Sequence, residues 1–394
     1  MSGYPLATTS WDERELDAIR EVMDSGHFTM GPRVKQFEAA FASFVGSRYA
    51  VMSNSGSSAN LLMIAAVCHR AEAPLVPGDE VIVPAVSWGT TYYPVAQYGL
   101  RLRFVDVDLH TLNLDVDQVA AAITPRTRAV LAVNLLGAAN DFDTLRALCD
   151  AHGLLLLEDN CEALGATFGD RQTGTFGSIG TFSFFFSHHM STMEGGMSVT
   201  DDRELAELMI SLRAHGWTRE LPADNLVHPK SGDDFQDLFR FVLPGYNLRP
   251  LEMEAAIGLV QLDKLPGMLR ERRSNATRFQ ALFADRDDVI IQSPLGDSSW
   301  FGFSFVLTGR LRGRRSAVAA ALTEAGIGCR PIVAGDFTKN PVIKLMAHDI
   351  VGELPNAARI DTDGLFVGNH HYPLHEELQL LARVLDAIPE SSPS

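Results

Sequence analysis

The stretch Leu-Leu-Leu-Leu-Glu-Asp at residues 154–159 decides the class of fold. Four consecutive apolar residues that end in two carboxylates are typical of a strand buried on both faces, as in a parallel sheet covered by helices. Other short apolar runs have the same character, and segments with helical spacing separate them. The predicted strands are 80–84, 103–107, 129–133 and 154–159, and the predicted helices between them are 91–98, 115–123 and 142–148. This alternation predicts an α/β fold with a largely parallel central sheet.

The second half of the chain has a different pattern. With 394 residues the chain is too long for one small core, which favours two domains. After the Pro/Gly-rich stretch 244–250, an amphipathic helix is predicted from 251 to about 265. Pro266 is expected to kink or end that helix before a further helical stretch towards residue 278. With a strand at 304–307, we predict a large domain at 1–250 and a smaller C-terminal α+β domain at 251–394.

Composition and charge limit the classes of partner. A net charge of −16 argues against nucleic acid or an anionic membrane surface. No apolar run reaches the roughly 18 residues that a membrane helix needs, and residues 1–5 lack the basic start and apolar core of a secretory leader. The four cysteines are far apart and form no C-x-x-C pair, which fits a reducing compartment and offers no ligand set for zinc or an iron–sulfur cluster. We therefore expect a cytoplasmic protein without a metal site.

Small polar residues open a predicted helix early in the chain. The apolar segment 49–52 is followed by Asn-Ser-Gly-Ser-Ser-Ala-Asn-Leu at 54–61, which leads into a helix through residue 67. Small residues at a helix N-terminus let backbone N–H groups approach a phosphate, and the helix dipole favours the negative charge. Taken alone, the pattern is more often a plain helix cap.

Three other residues have both a functional and a purely structural interpretation. Asp159 ends a predicted strand, where ligands of α/β sheets bind, although a loop aspartate more often caps a turn. Trp88 follows the strand 80–84 and would more often belong to the core. A single histidine such as His188 is likewise more often a surface or core residue. The residues by themselves leave these alternatives open.

A resemblance changes those odds. Residues 181–196 read Thr-Phe-Ser-Phe-Phe-Phe-Ser-His-His-Met-Ser-Thr-Met-Glu-Gly-Gly, which resembles the cofactor-anchoring stretch of the pyridoxal 5′-phosphate (PLP)-dependent sugar-nucleotide aminotransferases and dehydratases. In that family a lysine follows the Ser of Ser-Phe by five positions, and a Gly-Gly pair begins seven positions after the lysine. Both spacings select His188 here, and the chain has no lysine between Lys35 and Lys230. An imidazole cannot hold the cofactor covalently, but it can act as a base near neutral pH.

The resemblance covers nearly the whole chain and implies the site. It implies fold type I of the PLP-dependent transferases, a homodimer with composite active sites, and His188 as the catalytic residue, with His189 as supporting structure. Most relatives carry glutamine at the position of Glu162. Asn247 matches the asparagine that reaches the phosphate of the neighbouring subunit. The implied cofactor-binding residues are Gly56, Ser57, Ser58, Trp88, Asp159, Glu162, Ser183 and Asn247, and the implied substrate-binding residues are Phe28, Thr29, Met30, His215 and Arg219.

The histidine also implies the type of reaction. The resemblance implies removal of the C3 hydroxyl of a 4-keto-6-deoxy sugar nucleotide, with the cofactor bound non-covalently in its PLP and pyridoxamine phosphate forms. L-glutamate would be the amine donor, and the products would be the 4-keto-3,6-dideoxy sugar, 2-oxoglutarate and ammonia. A GDP-linked sugar rests on the resemblance alone.

Three alternatives remain at this stage. A sugar-nucleotide 4-aminotransferase of the same fold would need the lysine that is missing. An iron–sulfur-dependent CDP-sugar 3-dehydrase also has a histidine in this position, but Cys68, Cys149, Cys161 and Cys329 lack its clustered spacing. A non-catalytic regulatory homologue is disfavoured because Asp159, the turn at Gly56 and Asn247 are retained.

Overall fold

The structure is a computed structural model that describes residues 3–389, except for the side chain of Asp234. Met1 and Ser2, on which the expectation of no leader partly rests, lie outside the described residues. Among the helices of the described range, none combines the length and the apolar character needed to cross a membrane.

Helices and strands alternate along the first two-thirds of the described chain. The helices are α1 (Glu13–Ser25), α2 (Pro32–Val45), α3 (Gly56–His69), α4 (Gly89–Gln97), α5 (Val116–Ala122), α6 (Phe142–His152), α7 (Arg203–Arg213), α8 (Asp234–Asp237), α9 (Glu252–Phe283), α10 (Arg315–Glu324), α11 (Pro355–Asp363) and α12 (His375–Ala387). The strands are β1 (Tyr49–Ser53), β2 (Glu80–Pro84), β3 (Arg101–Val105), β4 (Thr127–Val133), β5 (Leu155–Asp159), β6 (Thr167–Phe168), β7 (Arg171–Gln172), β8 (Ile179–Ser183), β9 (Gly196–Thr200), β10 (Val289–Ile291), β11 (Gly302–Leu307), β12 (Cys329–Arg330), β13 (His348–Ile350) and β14 (Gly364–Gly368).

The large sheet has the order β1-β9-β8-β5-β4-β2-β3-β13. Strand β9 pairs antiparallel with both β1 and β8, and the remaining pairs of this sheet are parallel. Strands β2 and β8 are buried along their whole length, and β4 is buried except at Arg128, as continuous apolar runs predict. The predicted α/β fold with a largely parallel central sheet is confirmed.

The predicted strands 80–84 and 154–159 agree with β2 and β5 to within one residue. Strands β4 and β11 begin two residues before their predicted starts, and β3 is shifted by two residues at both ends. The pattern predicts residues 103–107, whereas the observed strand is Arg101–Val105 and pairs with β2 from Glu80↔Arg101 to Pro84↔Val105. The carboxylate of Asp106 leaves the sheet because it accepts hydrogen bonds from the backbone N–H groups of Asn356 and Ala357, at 2.8 and 2.7 Å, near the start of α11.

Helix α9 continues through Pro266, so of the two predicted effects of this proline the end of the helix is wrong, and the kink stays a prediction. A proline removes one helical hydrogen bond, but residues on both sides of it are anchored in the core. Leu265, Met268 and Leu269 are buried against the α2 side of the large sheet. Further along the helix, Phe279 and Phe283 are buried against the small sheet.

The small sheet is antiparallel with the order β10-β11-β14-β12. The boundary predicted between residues 250 and 251 stays a prediction. It lies next to the start of α9, but two segments cross it: β13 joins the large sheet beside β3, and Tyr4 forms an isolated bridge with Ile327.

Candidate active site

A cavity of about 560 Å³ opens at the carboxyl ends of the central strands. Residues that follow β2 and β4 line it together with Asp159, the last residue of β5, where ligands of α/β folds bind. The cavity is lined by Ser55, Gly56, Ser57, Asn60, Ser87, Trp88, Thr90, Thr91, Val133, Leu135, Asp159, Cys161, Glu162, Ser183, Phe185, Ser187, His188, Glu194, Phe301, Arg330, Pro331 and Val333.

The Asp159 carboxylate is held in a fixed orientation. Its Oδ2 accepts hydrogen bonds from Nδ2 of Asn60 and from Oγ1 of Thr91, each at 2.8 Å. Its Oδ1 accepts one from the backbone N–H of Cys161 at 3.2 Å. The side chain of Thr181 in turn donates to Oδ1 of Asn60 at 2.6 Å. The bond from Cys161, two residues later, caps the turn that follows β5, so Asp159 has the structural role as well. The same fixed carboxylate lines the cavity and can face a cationic ring nitrogen.

The N-terminus of α3 packs tightly against β8. A Cβ on Gly56 would lie 2.5 Å from Cβ of Ser183 and 3.1 Å from Sγ of Cys161, so this position requires glycine. Ser55 caps the helix by accepting a hydrogen bond from the backbone N–H of Ser58 at 3.1 Å. The hydroxyl of Ser58 donates to Oδ1 of Asn54 at 2.7 Å, and Ser58 does not line the cavity. Gly56 and Ser57 do line it, at a helix start suited to a phosphate.

Close packing near the start of α3 explains why residues 195 and 196 are both glycine. Gly196 starts β9 opposite Ser53, and a Cβ there would lie 2.1 Å from the carbonyl oxygen of Ser55. Gly195 has a φ of +149°, and its added Cβ would lie 2.4 Å from Oγ1 of Thr192. Residues 195 and 196 are therefore glycines because β9 passes close to the start of α3 and Gly195 lies close to Thr192.

His188 reaches the cavity from the loop between β8 and β9. Its Nδ1 lies 3.2 Å from the carbonyl oxygen of Ser183, and its ring meets Phe301 edge-on with centroids 5.1 Å apart. Burial lowers the pKa of His188 to about 4, and the positive charges of Arg330 and Arg272 act in the same direction. The imidazole is therefore neutral near pH 7 and able to accept a proton.

His189 points away from the cavity. It is buried, and its Nε2 lies 3.1 Å from the carbonyl oxygen of Ser299, a residue close to the small sheet. Burial lowers its pKa well below the usual range. This placement agrees with the expectation that the second histidine has a structural role.

Trp88 stands at the mouth of the cavity and is 61% exposed, so it is not a core residue. It precedes α4, and its indole can cover the face of a flat ring held by Asp159.

Glu162 and Arg330 introduce opposite charges into the wall. Burial raises the pKa of Glu162 to about 7, while the guanidinium of Arg330 and a hydrogen bond from the backbone N–H of Leu136 at 3.2 Å oppose that shift. Arg330 lies over the ring of Phe366, 4.6 Å from its centroid, and its buried Nε has no hydrogen-bond partner among the described residues.

Several predicted site residues lie outside this cavity. Asn247 is exposed and accepts a hydrogen bond from Nε of Arg249 at 2.9 Å. His215 and Arg219 both contact the ring of Trp217, His215 edge-on and Arg219 at 5.5 Å from its centroid. The predicted substrate-binding residues absent from the cavity lining are Phe28, Thr29, Met30, His215 and Arg219.

Other cavity residues were not predicted from the sequence. Asn60 and Thr91 hold Asp159, yet each carries no signal beyond a polar residue on a helix. Arg330 comes from a distant strand of the small sheet. None of the five lysines, which all belong to the described residues, lines the cavity.

The fold and the cavity define a class of protein. The model of the DegT/DnrJ/EryC1/StrS aminotransferase family matches residues 9–388, so the chain belongs to this family.

Individual relatives are similar over nearly the full length. GDP-4-keto-6-deoxy-D-mannose 3-dehydratase of Yersinia pseudotuberculosis is 52% identical over 387 residues, which cover 98% of each protein. The structure of the E. coli GDP-4-keto-6-deoxy-D-mannose-3-dehydratase with bound hydrated PLP has a TM-score of 0.96 and 51% identity, covering 98% of this chain and 100% of that one. A structure of GDP-4-keto-6-deoxymannose-3-dehydratase with a trapped PLP-glutamate geminal diamine has a TM-score of 0.95 and 51% identity, covering 97% and 100%.

Proposed function

We propose that the chain is a PLP- and pyridoxamine phosphate-dependent dehydratase that removes the C3 hydroxyl of GDP-4-keto-6-deoxy-D-mannose. L-glutamate is the amine donor, and the products are the 4-keto-3,6-dideoxy sugar nucleotide, 2-oxoglutarate and ammonia. The observation that carries the proposal is His188, which occupies the cavity wall where family members with a lysine hold the cofactor covalently. Relatives about half identical to this chain bear the name of this dehydratase.

The residues of the cavity fit the cofactor. Gly56 and Ser57 place the start of α3 on the cavity wall, and backbone N–H groups at a helix N-terminus suit a phosphate. Ser57 and Ser183 line the same cavity and offer hydroxyl groups. Asp159 is oriented to face a pyridine nitrogen, and Trp88 can cover one face of the ring. Glu162 lies in the same wall. Without a lysine in this wall, the cofactor binds through these non-covalent contacts alone.

Each residue then has a role in the reaction. When bound, the cofactor supplies an amine that carries the sugar and a ring that accepts electrons as the C3–O bond breaks. Asp159 keeps the ring nitrogen protonated. Nε2 of His188 accepts a proton and returns one to the departing C3 hydroxyl oxygen, so a single imidazole acts as base and then as acid. A lysine amine in this place would favour transamination, because it captures the cofactor again.

A second copy of the chain completes the site in our proposal. Asn247 and Arg219 are exposed, His215 is half-buried, and none of the three lines the cavity of its own chain. This supports a homodimer in which they serve the neighbouring cavity. Asn247 would contact the cofactor phosphate, and Arg219 would pair with a substrate anion. Phe28, Thr29 and Met30 would shape the substrate site.

Two further points follow from the cysteines. Cys68, Cys149, Cys161 and Cys329 are free, and among residues 3–389 no group of three or more ligand residues could hold a metal ion. These observations support a dehydratase without an iron–sulfur cluster and a reducing compartment such as the cytoplasm.

The test is turnover of a panel of 4-keto-6-deoxy sugar nucleotides with PLP and glutamate, followed by mass spectrometry. We expect the GDP-linked mannose derivative to lose its C3 oxygen, with one ammonia and one 2-oxoglutarate formed per sugar. A 4-amino sugar formed in equal amount to 2-oxoglutarate, without ammonia, would identify an aminotransferase. Turnover confined to another nucleotide would keep the reaction and change the substrate.

A further inference from the structure

Residues 299–301, which precede β11, are held by hydrogen bonds at every backbone group. The N–H groups of Ser299 and Phe301 donate to the carbonyls of Gly137 and Leu136 at 3.1 and 3.2 Å, and that of Trp300 donates to Oγ of Ser298 at 3.0 Å. The three carbonyls accept hydrogen bonds from buried side chains: Ser299 from His189 at 3.1 Å, Trp300 from Asn369 at 2.9 Å, and Phe301 from Arg272 at 3.1 Å. Trp300 has a φ of +48°, a left-handed conformation that is costly for a bulky residue.

Arg272 is the charged member of this arrangement. It lies in α9, is 6% exposed, and forms no ion pair with a carboxylate among the described residues. Its Nη1 donates to the carbonyls of Asn369 and Phe301 at 2.9 and 3.1 Å and lies 3.4 Å from that of Trp300. Burial lowers its pKa to about 10, so the guanidinium still carries its charge near pH 7. Burying a guanidinium whose only hydrogen-bond partners are carbonyl groups costs free energy of folding. This cost indicates that the position of residues 299–301 is important for the protein.

The segment ends on the cavity wall. Phe301 is 5% exposed, lines the cavity, and meets the ring of His188 edge-on at 5.1 Å and 87°. Nδ1 of His188 is held by the carbonyl of Ser183, and the rings of Phe301 and Phe185 meet the imidazole edge-on at 5.1 and 6.1 Å, so Phe301 is the nearer of the two rings that limit its rotation. A change in Trp300 that moved Phe301 would therefore release the ring of His188.

We propose that Arg272 is a positioning residue that acts through Phe301: by fixing the left-handed turn at Trp300, it holds Phe301 against His188 and so aims Nε2 into the cavity. This inference rests on the proposed role of His188 as the base. Asn369 and His189 support the same segment from its other two carbonyls. Misplacement of a reacting group by about 1 Å can cost about 10²-fold in rate.

The experiment is a double-mutant cycle on the complete enzyme with Arg272→Met and Phe301→Ala. We expect each single change to lower kcat for dehydration by about 10²-fold with little change in KM, and the double mutant to be no slower than the slower single mutant. Arg272→Lys, which keeps the charge but not the fork of donors, should recover part of the rate. The ¹⁵N shifts of His188 should show one fixed tautomer in the wild type and an average of both tautomers in Phe301→Ala.

A matched control separates positioning from general stability. Leu381→Ala removes a fully buried side chain from α12 in the small-domain core, so it should lower Tm while kcat stays within about twofold of wild type, because it lies far from any group that sets the barrier. The inference would be overturned if the fold-losses in kcat of Arg272→Met and Phe301→Ala multiplied in the double mutant, or if either single mutant had a normal kcat. If His188→Asn is slow while Arg272→Met and Phe301→Ala both have normal rates, this inference is refuted and the proposed function stands. If His188→Asn itself has a normal rate, the proposed function is refuted.

Discussion

Nδ1 of His188 lies 3.2 Å from the carbonyl oxygen of Ser183. A carbonyl can only accept a hydrogen bond, so in the neutral ring the proton is on Nδ1 and the lone pair of Nε2 is free. Burial lowers the pKa of His188 to about 4, which keeps this neutral form in place at neutral pH. The backbone of β8 therefore selects the tautomer in which Nε2 is the nitrogen able to accept a proton.

Replacing His188 should strongly slow dehydration while the cofactor still binds. His188→Asn keeps some hydrogen bonding but cannot take a proton, so we expect kcat to fall by about 10² to 10⁴, and by more if one imidazole performs both transfers. Absorbance titration with PLP should give a Kd close to wild type, because Asp159 and Gly56 are unchanged. His189→Asn should be milder, since this ring does not line the cavity and reaches the site only through its contact with the carbonyl of Ser299. A normal rate in His188→Asn combined with loss of turnover in His189→Asn would show that the wrong histidine has been assigned.

Borohydride reduction should leave no pyridoxyl group on any lysine of the wild-type protein. None of the five lysines lines the cavity, so no amine is placed to attach to the cofactor. Introducing an amine with His188→Lys should reverse this result: reduction and peptide mapping should find the label at position 188, the cofactor should absorb at longer wavelength, and C3–O cleavage should be lost. A label at Lys35 or Lys230 in the wild type would contradict the non-covalent site.

Gly56→Ala should weaken cofactor binding. The added Cβ would lie 2.5 Å from Cβ of Ser183, so the start of α3 must shift, together with the backbone N–H groups to which we assign the phosphate. We expect the Kd for PLP to rise about tenfold or more, equivalent to about 1.4 kcal/mol, in an equilibrium titration without glutamate.

Gly267→Ala provides the control for that substitution. Gly267 lies inside α9, and the nearest atom to its added Cβ is Nη2 of Arg270 at 3.6 Å, an ordinary contact. This variant should bind PLP as the wild type does and should gain about 0.5 to 1 kcal/mol of stability. Equal Kd values for Gly56→Ala and Gly267→Ala would argue against a phosphate at the start of α3.

Glu162→Gln should stabilise the cofactor-free protein at high pH but not at low pH. Burial raises the pKa of Glu162 from 4.5 to about 7. The folded state therefore binds more protons than the unfolded state between these values, and the wild type loses stability as pH rises through this window. We expect the Tm difference between Glu162→Gln and the wild type to grow from about pH 4.5 to about pH 7 and then to level off. A constant difference, or one that shrinks with increasing pH, would contradict the assigned shift.

The sequence predicts the parts of the site that are encoded by contiguous residues. Asp159 and Gly56 could be located because each stands at the junction of a recognisable strand or helix. The bounds of β3 could not, because the run 103–107 ends in the apolar Val107 and resembles one continuous strand, whereas backbone N–H groups about 250 positions later in the chain bind the carboxylate of Asp106. The same holds for Pro266. The usual effect of proline inside a helix predicts a kink or an end, but burial of residues on both sides of it keeps α9 continuous.

Residues that reach the site from other elements of the fold were not identified from the sequence either, because their contacts are not encoded by neighbouring residues. Asn60 and Thr91 hold Asp159 from two different helices, and neither their type nor their spacing reveals that contact. Arg330 reaches the cavity from the small sheet, 171 positions after Asp159 (330 minus 159), and its unpartnered Nε becomes visible only in three dimensions.

The loop at residues 184–195 has both ends fixed in register, because Ser183 and Gly196 are themselves paired between β8 and β9. Gly56, Ser57 and Asp159, to which we assign the phosphate and the ring nitrogen, belong to other elements, whereas the loop lines the cavity with Phe185, Ser187, His188 and Glu194. It is consequently an exchangeable cassette: an engineer could graft loops of equal length from lysine-bearing family members between these two residues and select for a new reaction on an unchanged cofactor platform.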